Sequence, residues 1–111
     1  MIVLTVEQLL NSGEFIGVST PQSDREVDGI YIGDLLSWVM GKATSDCAWI
    51  TIMSNINIVA VASLIDVSCI ILAEGVNISE YIVNTAQQKG VNILRSDKTA
   101  YQIAVLLNGL L

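Results

Sequence analysis

Four short polar clusters carry side chains that could do chemistry in this 111-residue chain: Gly33-Asp34, Ser54-Asn55 with Asn57, Glu74-Gly75, and Ser96-Asp97. Small polar residues beside glycine or a carboxylate suit two tasks. They cap helices, or they present backbone N–H groups to a small ligand, an anion above all. Catalysis and metal binding have less to work with. The absence of histidine removes the usual general base and the commonest metal ligand together. Cys47 and Cys69 have no second pair and no histidine to complete a zinc site or a disulfide framework. Cys69, inside Cys69-Ile70-Ile71-Leu72, reads as a small buried hydrophobe. Cys47 precedes a strand, where exposure is open to it, but no basic neighbour in sequence activates its thiol. No catalytic residue, metal ligand or cofactor is assigned.

Other motifs are settled by spacing. Met40-Gly41-Lys42-Ala43-Thr44 lacks a Walker A arrangement, because Leu36 stands where the first glycine belongs and Ala43 follows the lysine. Asp24, Glu26 and Asp28 alternate and, as a strand, would share one face. On so polar a segment, around the only proline, they read as a solvated acidic surface rather than a magnesium site. Trp49 opens an apolar strand and is expected in the core. Trp38, beside Leu35, Leu36 and Val39 on a helix, is a candidate anchor for a partner.

Positioning these clusters falls to a chain that is 52% hydrophobic and 14% charged, with a mean hydropathy of +0.61. Such a composition excludes disorder, and its length suits a single domain over residues 1–111. Eleven acids against five scattered bases give a formal charge of −6, which argues against nucleic acid as a partner. Residues 47–65 run 19 positions without a charge, long enough to raise the question of a membrane span. Ser54, Asn55 and Asn57 lie inside the run, so it reads as strand, polar turn and helix. Met1-Ile2-Val3-Leu4-Thr5 has no basic flank and Glu7 interrupts the apolar stretch, so no signal peptide is expected and the chain is placed in the cytoplasm.

Thr5 and Gln8 fit a capping box that opens a short helix. Strands are expected over Glu14–Ser19, Val27–Ile32, Ala48–Met53, Val67–Ala73 and Val91–Leu94. Between and after them, helical spacing marks Leu35–Met40, Ile58–Ile65, Ser79–Lys89 closed by Gly90, and a last helix from Ser96-Asp97 to Gly109. Asp34, Asn55 or Asn57, and Ser96 are the expected N-caps. The β-α-β-α-β-α order from Ala48 onward implies an α/β layered sheet of about five mostly parallel strands covered by helices. In such a sheet the loops after the strands gather on one edge, where ligands generally bind. Gly33, Asp34, Ser54, Asn55, Asn57, Glu74, Gly75 and Ser96 are therefore the expected ligand-binding residues.

The stretch Val27-Asp28-Gly29-Ile30-Tyr31-Ile32-Gly33-Asp34-Leu35-Leu36-Ser37, then Ala48-Trp49-Ile50-Thr51-Ile52 and Asn57-Ile58-Val59-Ala60-Val61-Ala62, resembles the DRTGG domain family. The resemblance continues through Ile70-Ile71-Leu72-Ala73-Glu74-Gly75 and Gly90-Val91-Asn92-Ile93-Leu94-Arg95-Ser96, nearly the whole chain. Such domains look like the N-terminal domain of HPr kinase/phosphorylase and occur fused to phosphotransacetylases and CBS-containing pyrophosphatases. What the resemblance implies is regulation, small-ligand or nucleotide sensing, or assembly. The kinase chemistry of HPr kinase belongs to a separate P-loop domain, for which this chain has neither length nor motif. The expectation is a non-catalytic regulatory domain acting as a homodimer, with docking on a partner enzyme as the alternative.

Overall fold

The computed structural model describes residues 3–111, which form ten elements: α1 (Val6–Asn11), β1 (Ile16–Ser19), β2 (Gly29–Ile32), α2 (Leu36–Lys42), β3 (Cys47–Thr51), α3 (Asn57–Ile65), β4 (Cys69–Leu72), α4 (Glu80–Lys89), β5 (Ile93–Arg95) and α5 (Ala100–Leu110). Every expected strand and helix is present, with ends moved by a few residues. The five strands make one sheet in the order β1-β5-β4-β3-β2, parallel except for β1, which runs antiparallel to β5. The expected α/β layered sheet is the observed fold. None of the helices among the described residues is long and apolar enough to cross a membrane. The uncharged run 47–65 is β3, a polar turn and α3.

Local chemistry explains most element ends. Gln8 N–H donates to Thr5 Oγ1 at 3.2 Å and Thr5 N–H to Gln8 Oε1 at 2.9 Å, completing the capping box of α1. Gly90 ends α4 at φ 71, where a side chain would be strained. All three N-cap expectations are corrected, that at Asn55 or Asn57 because Ile56 takes the cap position of α3. The last helix is capped by Thr99 with Gln102, not by Ser96, and it continues past Gly109 to Leu110. The N-cap position of α2 falls to Leu35, which has no side-chain bond, because the Asp34 carboxylate is engaged elsewhere.

From β2 to β5 each strand is added on the same side of its predecessor, so crossovers of one hand place α2, α3 and α4 on one face. Alternation along the strands divides the core accordingly. Trp49, Ile70, Leu72 and Ile93 meet Val39, Ile58, Ile82 and Ala86 of these helices. On the other face Ala48, Ile50, Ile71 and Leu94 meet Leu9 of α1 and Ile103 and Leu107 of α5. Trp49 is fully buried, as expected, and its indole N–H donates to Gly33 C=O at 2.9 Å. Cys47 is buried rather than exposed, because the strand begins at that residue.

Since β1 lies beside β5, the segment 20–28 must cross beneath the N-terminal ends of the parallel strands to begin β2 at the far edge. Polar side chains pin it there. Asn92 accepts from Gln22 N–H at 2.9 Å and donates to Gln22 C=O at 2.7 Å and Ser68 C=O at 2.9 Å. The Ser68 hydroxyl donates to Glu26 C=O. Arg25 bridges Asp46 at 2.8 Å and Asp66 at 2.9 Å. Burial works against the Arg25 charge, yet the bonds to the two aspartates hold its pKa above the ordinary value. Asp24, Glu26 and Asp28 belong to this crossing and stay exposed, as a solvated acidic surface should.

Two outcomes follow. Asn92→Ala leaves the buried Ser68 C=O without its partner and removes two part-buried bonds to Gln22, and chemical denaturation should register a loss of about 1–3 kcal/mol. Burial also pushes the Cys69 thiol up to about 12, with Cys47 adding to the rise and Arg25 opposing it. An unfolded thiol ionises near about 8.5, so above that pH the unfolded chain binds fewer protons than the folded one. The Cys69 contribution is complete below about 8.5 and lost as pH rises toward 12. Denaturation series from pH 8 to 11 should show a steeper decline for the wild type than for Cys69→Ala.

Candidate functional site

The parallel strands β2, β3, β4 and β5 deliver the four polar clusters in a row along the C-terminal edge of the sheet. A crevice opens where successive crossovers leave a sheet in opposite directions, and from β2 to β5 the direction never changes. Hydrogen bonding instead joins the clusters in two pairs, with the Ser54–Asn57 turn between them.

The first pair is built on Asp34. Its Oδ1 accepts from the Thr51 hydroxyl at 2.7 Å and from Ile52 N–H at 3.0 Å, which ties the end of β2 to the end of β3. Gly33 N–H extends the same pairing to Ile50 C=O at 3.2 Å. Thr51 is a residue that sequence reasoning missed. It lies in an apolar strand, and only the parallel register carries it alongside Asp34.

In the second pair, Glu74 N–H donates to Lys98 C=O and Gly75 N–H to Ser96 C=O, each at 2.9 Å. Glu74 and Gly75 both have positive φ, 60 and 67, and a Cβ on Gly75 would lie 2.7 Å from an Asp97 carboxylate oxygen. Ser96 is buried, and its hydroxyl accepts from Lys98 N–H at 3.1 Å. This turn therefore spends its N–H groups inside the protein. Arg95 closes β5, and its guanidinium donates to Asn77 in the loop before α4. Arg95 and Lys98 are thus two of the five cations of the chain, on the edge that carries the polar clusters. Their spacing in sequence held no signal for this, since both sit in a segment otherwise read as strand and cap.

Between the pairs, Asn55 Oδ1 accepts from Asn57 N–H at 2.9 Å, an Asx turn that starts α3. The N-cap position is Ile56, without a side-chain bond, whereas α4 and α5 begin under Ser79 and Thr99. Ser54, Asn55 and Asn57 are exposed. Two shallow grooves lie along α5. One of about 370 Å³ is lined by Glu14, Lys98, Tyr101, Gln102, Val105 and Leu106. The other, about 340 Å³, is lined by Ile30, Tyr101, Ala104, Val105 and Asn108.

Comparison with known proteins assigns the chain. The family model of the DRTGG domain matches residues 10–110. The chain belongs to the DRTGG domain family. Among solved structures, this DRTGG domain is similar to the CBS and DRTGG domains of the regulatory region of Clostridium perfringens pyrophosphatase, crystallised in complex with its activator, diadenosine tetraphosphate. The TM-score is 0.71 at 12% identity, over 88% of this chain and 43% of that one, so the likeness is one of fold and spans less than half of the crystallised protein. A comparison with curated protein sequences finds no match.

The tight turn of the DRTGG domain is open to a simple check. Gly75→Ala combines left-handed backbone with the Asp97 contact and should cost about 1–2 kcal/mol. Gly41→Ala, in α2 with open space around it, should gain roughly 0.5–1 kcal/mol. Thermal denaturation of the two variants tests the contrast.

Proposed function

We propose that this DRTGG domain, taken as one unit over residues 1–111, is a regulatory module without catalytic chemistry of its own. In this reading it senses a small nucleotide-like ligand in the cytoplasm and acts as a homodimer. The observation that carries the reading is the fold likeness to a pyrophosphatase regulatory region crystallised with a dinucleotide activator. The edge chemistry is compatible with it. Gly33, Asp34, Ser54, Asn55, Asn57, Glu74, Gly75 and Ser96 stand on the edge where a parallel sheet accepts ligands. A polyphosphate approaching a chain of charge −6 needs local cations, and Arg95, at the end of β5, is one on this edge. The uncapped start of α3 at Ile56 adds the positive end of a helix dipole in the middle of the row.

A second reading, docking on a partner enzyme, draws on Trp38. This side chain is 58% exposed, with Leu35 at 61% beside it and Lys42 Nζ 4.6 Å from the ring centroid. Trp38→Ala separates the two, since it should abolish capture of a partner while leaving a small-ligand response intact.

Thermal shift against nucleotides and phosphorylated metabolites is the direct test. A ligand at a hundredfold excess over its dissociation constant should stabilise the domain by about 2.7 kcal/mol. Arg95→Ala should weaken that ligand at least tenfold with the fold retained. No shift with any class would sink ligand sensing, and transfer of labelled phosphate from ATP to a protein substrate would sink the non-catalytic part.

A further inference from the structure

We infer that the outer face of α5, with the β2 edge beside it, is a two-fold interface between copies of this chain, α5 packed antiparallel against its counterpart. The inference rests on the homodimer part of the reading above and specifies its surface.

The first observation is the composition of the helix. Ala100–Leu110 reads AYQIAVLLNGL, 11 residues with no charge, in a chain of 16 charged residues. Ile103 and Leu107 are fully buried against the sheet. Tyr101, Val105 and Asn108 form a separate exposed stripe at i, i+4 and i+7, with half-buried Ala104 beside it at the margin of the core. A helix apolar on both sides is expected to be covered on both sides. Here Tyr101 is 76% exposed and Val105 54%. Two shallow grooves flank this stripe and share Tyr101 and Val105, so the helix stands as a ridge with a groove on either side. A ridge between grooves is the shape that a second ridge fits.

The edge strand supplies the second observation. Edges are normally blunted by charge, proline or a bulge. β1 has both a register irregularity between Gly17 and Ser19 and Pro21 soon after it. β2, Gly-Ile-Tyr-Ile, has neither a charge nor a proline, and its register with β3 is regular. Ile30 lines the groove beside α5, and Ile32, on the same face, is 49% exposed.

Charge decides the occupant. A basic partner would need acids to meet, and the only acid in either groove, Glu14, is paired with Lys98 at 3.5 Å. Two copies that each carry −6 repel unless they meet where neither presents charge, and this stripe is such a place. Antiparallel α5 helices also oppose their dipoles favourably. The Glu14–Lys98 pair then lies at the rim, the usual place for ions around an apolar centre.

Sedimentation equilibrium of the full chain from 1 to 200 µM tests the inference. The expected mass is twice the 11.9 kDa of one chain. Tyr101→Asp and Val105→Asp should each raise the dimer dissociation constant at least a hundredfold with an unchanged circular dichroism spectrum, whereas Leu64→Asp, on α3, should not alter it. A second readout uses Tyr101→Cys, Val105→Cys and Asn108→Cys. The native Cys47 and Cys69 are buried, so oxidation should cross-link at least one of these variants through the new thiol. A dimer that survives both aspartates, or dissociates with Leu64→Asp, or cross-links at none of the three positions, overturns this surface and leaves the homodimer standing. A wild type monomeric throughout overturns the homodimer as well, while the ligand response is read independently by thermal shift.

Discussion

Asn92 is the residue on which the arrangement of this fold turns. Placing β1 beside β5 obliges the chain to traverse the sheet, four strand spacings or roughly 19 Å, before β2 can begin at the opposite edge. A segment running under a sheet must find partners for its backbone groups or forfeit their hydration. Asn92 supplies two of those bonds, to Gln22 N–H and C=O, and is itself anchored by a third to Ser68 C=O. Farther along, Ser68 holds Glu26, and Arg25 ties the segment to the turns that precede β3 and β4. The same segment takes the first N–H groups of α1, Val6 to Arg25 C=O and Glu7 to Ser23 C=O. One polar crossing therefore fixes the outer strands and the first helix together.

This crossing covers the N-terminal edge of the sheet with chain whose outer side is acidic, Asp24, Glu26 and Asp28 being exposed, while the polar clusters after the strands stand at the opposite edge. Even there much of the capacity for hydrogen bonding is spent internally. Asp34 stitches β2 to β3, and the Glu74-Gly75 turn is bonded to the Ser96–Lys98 segment. What is left on that edge is the Ser54–Asn57 turn at the start of α3, the exposed Glu74 and Asp97 carboxylates, and half-buried Arg95 at the end of β5. The edge thus combines hydrogen-bonded supports with a few exposed groups.

Crossovers of a single direction also explain the uneven dressing of the two faces. Three helices cover one face, while the other has only the short α1 and α5. Burial on both faces accounts for the near-continuous apolar strands, with β3 and β4 buried along their whole length. The apolar content of α5 exceeds what one side of a helix can bury, which is why Tyr101 and Val105 remain at the surface of the single chain.

Periodicity and punctuation made the elements legible from the amino-acid order alone. Continuous apolar runs at Trp49 and Ile70 announced buried strands, the Thr5–Gln8 spacing a capping box, and Gly90 a helix end, because each depends on interactions within a few residues. The clusters at Gly33, Ser54, Glu74 and Ser96 could likewise be placed at strand ends, since position in an alternating β-α order is a local property. How those clusters relate to one another was not local. Asp34 was expected to cap α2, yet the parallel register sets Thr51 and the Ile52 amide within reach of its carboxylate, and that stronger set of partners wins. Cys47 moved into the core because pairing with Gly29 begins the strand there. Elements, their order and the acidic, histidine-free chemistry were determined by sequence, through short-range sterics and solvation; the strand order, the crossing under the sheet and the partners of each polar side chain were decided only in the tertiary structure, where groups distant in the chain compete for the same hydrogen bonds.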